Sequence, residues 1–158
     1  MAAGVAAGGH LINDVRALQE PGALAVAAKL NVPVCLMHMQ GQPRTMQDSP
    51  VYQDIISDIS QFFEQRISAC LAAGIHKKNL LLDPGYGFGK TLSHNYELLN
   101  RQGELASFGL PLLIGLSRKS MIGNLLNVPV DERLAGSLTA GLLSIQHGAH
   151  IIRVHDVK

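Results

Sequence analysis

Five apolar runs, each ending in polar, ionisable or amide side chains, constrain the fold of this chain more than any other feature. They are His10-Leu11-Ile12-Asn13-Asp14, Val34-Cys35-Leu36-Met37-His38-Met39, Leu80-Leu81-Leu82-Asp83, Leu112-Leu113-Ile114-Gly115-Leu116-Ser117-Arg118-Lys119 and His150-Ile151-Ile152-Arg153-Val154-His155-Asp156. Near-continuous apolar runs of about four to eight residues suit strands buried on both faces, as in a parallel sheet. The segments between them carry a helical period. One begins at Ser49-Pro50, an N-cap followed by proline at the first helical position. It presents Ile55, Ile59, Phe62, Phe63, Ile67, Cys70 and Leu71 on one face and stops at Gly74. A second places Leu134, Leu138, Leu142 and Ile145 on one face between Asp131 and Gly148, and shorter ones cover 21–30 and 93–106. This alternation predicts an α/β fold of right-handed βα units around a parallel sheet, with chemistry at the strand carboxyl ends. Both a (β/α) barrel and a doubly wound sheet satisfy it.

Length bears on that choice. A (β/α)8 barrel takes about 250 residues, and this chain has 158 with five strand candidates. A barrel reading therefore lacks three βα units, whereas an open five-stranded sheet fits without missing parts. The opening Met1-Ala2-Ala3-Gly4-Val5-Ala6-Ala7-Gly8-Gly9 reads as a helix end feeding His10, and Lys158 follows the last run without a covering helix. Residues 1–158 form one domain, and Gly41-Gln42-Pro43-Arg44 reads as a loop inside it.

Composition narrows the class. A hydrophobic share of 47% with 16% charged residues is ordinary for a globular domain, and a net charge of +1 sets up no basic field for nucleic acid. No apolar run approaches the roughly 18 residues of a membrane span, no signal peptide is visible, and the expected location is cytoplasmic. Cys35 and Cys70 read as buried small hydrophobes in a reducing compartment. Arg44 and Arg66 read as exposed charges, and His38 as a satisfied interior or rim histidine rather than a ligand. The seven histidines and two cysteines offer no zinc set.

Chemistry concentrates in Leu82-Asp83-Pro84-Gly85-Tyr86-Gly87-Phe88-Gly89-Lys90, where an apolar strand runs into a carboxylate and then a glycine-rich loop. An aspartate at a strand mouth can accept two hydrogen bonds from a flat heterocycle, and the glycines let the backbone turn sharply beside it. Gly89-Lys90-Thr91 copies the end of a nucleotide-binding P-loop, but Pro84 stands where that pattern needs glycine. Blander readings exist for each element. Asp83-Pro84-Gly85 could be a turn, Asn13 and Asp14 could cap the next segment, and Ser117 to Ser120 could be a solvated basic loop. Arg153 and His155 alternate onto one strand face, where a buried guanidinium requires an anion such as Asp156 or a ligand.

Taken together, Ile12-Asn13-Asp14, Cys35-Leu36-Met37-His38-Met39, the Leu82 to Lys90 stretch, Gly115-Leu116-Ser117-Arg118-Lys119-Ser120 and Arg153-Val154-His155-Asp156-Val157 resemble the dihydropteroate synthases, closest to the enterobacterial form. The resemblance covers the whole chain. It implies a (β/α)8 barrel occupied from its fourth to its eighth strand, and a folate-pathway transferase that is the target of sulfonamides. That reaction condenses 6-hydroxymethyl-7,8-dihydropterin diphosphate with p-aminobenzoate to give 7,8-dihydropteroate and diphosphate. Asn13, Val15, Met37, Asp83, Phe88, Gly115 and Lys119 would then bind the pterin. Ser120, Arg153 and His155 would serve p-aminobenzoate and diphosphate, with Lys119, Arg153 and His155 as the catalytic set. The family uses Mg2+, whose asparagine ligand belongs to the first strand, so no metal ligand is expected in this chain. The implied partners are these small molecules, with a homodimer formed through outer helices or a need for the N-terminal part. Two alternatives accompany this reading: a non-catalytic pterin-binding fragment, and a relative that transfers methyl groups from methyltetrahydrofolate to a corrinoid. The motifs around Lys119 and Arg153 disfavour the second.

Overall fold

The computed structural model describes residues 1–42, 46 and 50–157. In chain order the elements are α1 (Ala2–Ala6), β1 (Ile12–Asp14), α2 (Ala23–Leu30), β2 (Val34–Met37), α3 (Ile55–Ala72), β3 (Leu80–Asp83), α4 (Leu92–Arg101), β4 (Leu113–Ile114), α5 (Ser120–Leu126), α6 (Leu134–Gln146) and β5 (Ile151–Ile152), with 3-10 turns at Lys77–Asn79, Gln102–Phe108 and Val130–Glu132. All five apolar runs form strands. Every pairing is parallel: Asn13 lies opposite Cys35, Met37 opposite Asp83, and Leu113 opposite Ile151. A single parallel bridge from Leu82 to Leu112 joins the two groups. The strands thus neighbour one another in chain order, as barrel strands do and as a doubly wound sheet, with its reversal, does not.

Side-chain alternation gives the sheet two faces. Ile12, Val34, Leu36, Leu80, Leu82, Leu112 and Ile114 pack outward against Ile55, Ile59, Phe63, Leu98 and Leu105 in the main core. Cys35, Leu81 and Leu113 point the other way and form a small cluster of their own. Every position of β2 and β3 is buried. On the two outermost strands the same inner face opens: Leu11, Asn13 and Val15 at β1, and Ile151, Arg153 and His155 at β5, are all exposed.

Several helix expectations need correction. The long helix starts at Ile55, because Asp54 caps it by accepting the Ser57 N–H at 2.8 Å. Ser49 as its cap, the loop residues Pro43 and Arg44, and Arg44 as an exposed charge lie outside the described residues. Asp54 also accepts from Arg101 Nη1 at 2.6 Å, tying the start of α3 to the end of α4. The 93–106 segment divides into α4 and a 3-10 turn, and Leu71 faces solvent. Arg66 is half-buried rather than free, donating to the carbonyls of Ala17 and Leu18 at 2.8 and 3.2 Å.

The largest correction concerns α6. Its leucine face, expected in the core, is turned outward: Leu134, Leu138, Leu142 and Ile145 are 47–62% exposed. The small residues Ser137, Ala140, Gly141 and Ser144 are buried instead. Close approach explains this choice, since a Cβ on Gly136 would come 2.5 Å from Ile122 Cγ2.

Gly85 (φ +71°) is held in the left-handed region, and a Cβ there would stand 1.8 Å from the His38 carbonyl oxygen. Gly109 (φ +59°) has the same handedness with open space around it. Gly109→Ala should cost about 1–2 kcal/mol from backbone strain alone, and Gly85→Ala clearly more. Urea denaturation of the two variants checks this, and equal losses would show that the His38 contact does not constrain the loop.

Candidate functional site

Asp83 ends β3 at only 3% exposure. The glycine loop folds directly over it: Asp83 Oδ1 accepts the Gly85 N–H at 2.8 Å, and its second oxygen has no hydrogen-bond partner among the described residues. The carboxyl is raised above its ordinary range by burial, opposed by the Gly85 N–H and by the charges of Lys119, Lys90 and Arg153. The turn reading of Asp83-Pro84-Gly85 is therefore half right. The turn exists, and its aspartate is aimed into a desolvated, cation-lined place.

Lys119 arrives from the β4–α5 connection. Its ammonium donates to the Tyr86 carbonyl and stands 4.8 Å from the centre of the Phe88 ring. Burial lowers its pKa to about 8, with Asp83 pulling it back up. Gly115 lies beneath the Arg153 guanidinium, where even a Cβ would come within 2.9 Å of Nη2. Met37, buried beside Asp83 in the neighbouring strand, comes 3.5 Å from the Cβ position of Gly85. Asp83, Met37, Phe88, Gly115, Lys119 and Arg153 are thus gathered at the strand carboxyl ends.

The other expected residues stand apart. Asn13 and Val15 are exposed at the end of β1, with β2 between them and Asp83. Asp14, not Asn13, does the local capping, accepting the Arg16 and Leu18 N–H groups. Ser120 opens α5 and faces a polar depression of about 330 Å³ beside Thr91, Asn95 and Asn124. His155 places Nδ1 3.1 Å from Ser117 Oγ.

Two expectations about Arg153 and His155 need correcting. β5 stops at Ile152, so both residues lie beyond the strand, and both are exposed rather than buried. Asp156 does not pair with Arg153. It is engaged by Arg118, whose Nε donates at 3.0 Å and whose Nη2 makes a second contact. No hydrogen bond or ion pair occupies the Arg153 guanidinium among the described residues. The 117–120 loop is likewise not a solvated strap: Arg118 sits at φ +56°, its N–H donating to Ser137 Oγ at 2.9 Å.

Residues that the sequence reading did not single out brace this site. Asn95 Oδ1 accepts the Gly87 N–H at 2.7 Å, Tyr52 Oη donates to the Gly89 carbonyl at 2.7 Å, and buried Gln102 joins Tyr86 Oη to the carbonyls of Ser144 and His147. Polar residues at ordinary helical or loop positions carry no periodic signal that would have marked them. His38 is an interior histidine as expected, packed edge-on against Phe62. Burial, with the Asp83 charge, pushes the Cys35 thiol up, which keeps it inert.

No three His, Cys, Asp or Glu side chains converge on a metal position among the described residues. Asp14, Asp83 and Asp156, the carboxylates at the strand ends, serve the β1 loop, the Gly85 turn and Arg118 respectively. The described residues therefore do not fit a magnesium site. No helix among the described residues is long and apolar enough to cross a membrane.

A desolvated carboxylate at the mouth of a parallel strand, with three cations and a half-buried ring near it, marks the class of α/β proteins whose ligand site lies at the strand carboxyl ends. Residues 1–155 match the pterin binding enzyme family, and the chain belongs to that family. It is 60% identical to the dihydropteroate synthase of Escherichia coli over 151 residues, covering 96% of this chain and 54% of that protein. It is 56% identical to the Haemophilus influenzae synthase over 150 residues, covering 95% and 54%. Among solved structures, the Yersinia pestis dihydropteroate synthase in a sulfonamide drug complex superposes with a TM-score of 0.95 at 61% identity, covering 97% of this chain and 56% of that one. The Xanthomonas albilineans dihydropteroate synthase in complex with 7,8-dihydropteroate gives 0.91 at 47% identity, covering 98% and 56%. The chain thus spans about half the length of the relatives it matches.

Lys119 holds fewer protons when folded than when unfolded between about pH 8 and its ordinary pKa of 10.5. Its burial therefore makes stability rise with pH across that window and weigh against the fold below it. Lys119→Met should flatten the rise between about pH 8 and 10.5 in denaturant titrations, and an unchanged slope would contradict the desolvated ammonium.

Proposed function

We propose that this chain forms the pterin-binding side of a dihydropteroate synthase, condensing 6-hydroxymethyl-7,8-dihydropterin diphosphate with p-aminobenzoate to give 7,8-dihydropteroate and diphosphate. The observation that carries the reading is the second oxygen of Asp83, which has no hydrogen-bond partner among the described residues. A buried carboxylate with one lone-pair face unfilled is suited to the N–H edge of an amino-pyrimidinone ring. Phe88 and Met37 bound the slot for the flat ring, Gly115 leaves it open, and Lys119 donates toward the ring carbonyl. Asn13 and Val15 lie one strand further off, beyond β2, and are assigned to the outer edge of the slot. The Arg153 guanidinium, unengaged among the described residues, receives the diphosphate with His155 two residues on, and Ser120 at the start of α5 is assigned to the p-aminobenzoate end.

In the reaction the methylene carbon–oxygen bond breaks and its electron pair leaves with diphosphate. The amine nitrogen then bonds to that carbon and loses a proton. This chain's contribution is to hold the ring edge, stabilise the departing anion and fix the angle of approach. Magnesium is part of the chemistry the resemblance implies, and the described residues of this chain offer it no donor set.

The five strands supply the fourth to eighth of an eight-stranded barrel. The exposed inner residues Leu11, Val15 and Ile151 on the two outer strands are the surfaces that three further βα units would cover. That same observation favours a second reading of the chain by itself, as a pterin-binding piece without turnover. The outward leucines of α6 suit association of two such barrels through their outer helices.

Supplied with dihydropterin diphosphate, p-aminobenzoate and magnesium, the chain combined with the part of the E. coli synthase that it does not span should make dihydropteroate. Asp83→Asn should lower that rate at least about 100-fold. Undiminished product in Asp83→Asn would overturn the assignment. Arg153→Ala should weaken the diphosphate substrate about 10-fold more than 6-hydroxymethylpterin in calorimetric titrations, and equal weakening of both would remove its anion role.

A further inference from the structure

Gly89-Lys90-Thr91 copies the end of a phosphate loop, yet its lysine turns inward. Lys90 is 3% exposed. Its Nζ lies 3.0 Å from the Gly85 carbonyl, 3.2 Å from the Phe88 carbonyl and 2.9 Å from His38 Nδ1. Three acceptors thus surround the nitrogen, whose pKa burial still lowers to about 7 while the Asp83 charge draws it back up. Burial holds His38 well below its ordinary pKa, which leaves an unprotonated ring nitrogen to accept.

What the lysine grips is the part of the chain that shapes the site. Gly85, Gly87 and Gly89 all have left-handed backbones, so the loop loses more freedom on ordering than one with side chains. Asn95 holds it at Gly87 and Tyr52 at Gly89. Among the described residues, only Lys90 reaches both carbonyls bracketing Tyr86 and Gly87. Gly85 donates to Asp83, Tyr86 accepts from Lys119, and Phe88 carries the ring beneath Lys119.

We propose that Lys90 is a positioning residue for ligand recognition, its side-chain N–H groups clamping the Gly85 and Phe88 carbonyls so that the loop delivers the Gly85 N–H to Asp83 and the Phe88 ring to Lys119. It rests on the pterin reading above only for the ligand concerned.

The test uses chain labelled with [15N]glycine, with Asp83→Asn marking the Gly85 amide resonance when its acceptor is altered. Lys90→Met should move the Gly85 resonance away from its native position and weaken 6-hydroxymethylpterin about 10-fold. Lys90→Gln, which keeps an N–H donor in the same space, should fall between. A lysine that only fills the core would lower the melting temperature while leaving the Gly85 resonance and pterin affinity of the folded chain unchanged, and that result would overturn the proposal. So would failure of both variants to fold, since the clamp acts on a loop rather than on the core. If the unaltered chain binds no pterin, the functional reading fails, while the Gly85 resonance still decides the clamp.

Discussion

The site is organised around one electrostatic constraint: a carboxylate removed from water at the end of a strand. Burying Asp83 costs free energy that a single Gly85 N–H cannot offset. Lys119, Lys90 and Arg153 all lie close enough to act on its charge, and each comes from a different part of the chain. The glycine loop, the β4–α5 connection and the segment after β5 are thereby drawn to one place. The left-handed glycines follow from the same requirement, since only a backbone without Cβ can turn back over the aspartate against the His38 carbonyl.

Much of this was legible in the sequence. Continuous apolar runs mark strands buried on both faces, and all five runs became parallel strands because nothing else hides such segments. The polar residues ending them were the right place to look, since β-strand alternation carries Met37 and Asp83 onto one face. Less legible was how far the gathering extends. Asn13, Val15 and Ser120 share motifs with the central residues but sit on elements that the rest of the sheet leaves at a distance.

Misreadings have physical causes. Leucines at three-and-four spacing on α6 signal an apolar face without saying what it faces. The buried face was instead chosen by small residues that let α6 approach Ile122 closely, a criterion hydrophobic periodicity does not weigh. Arg153 was expected to be buried because its strand is apolar, but β5 is an outer strand and ends one residue earlier. Lys90 went unassigned because its role depends on two backbone carbonyls, which no side-chain pattern reveals.

The central claim is that Asp83 is a desolvated carboxylate held in balance by neighbouring cations. Its most direct test is a pH titration of the Asp83 carboxyl carbon by 13C NMR, in the unaltered chain and in Lys119→Met. The account predicts a midpoint above the ordinary aspartate value, and one displaced further upward when the Lys119 charge is removed. A midpoint at the ordinary value, indifferent to Lys119, would mean that Asp83 is solvated and that the site is not built around it.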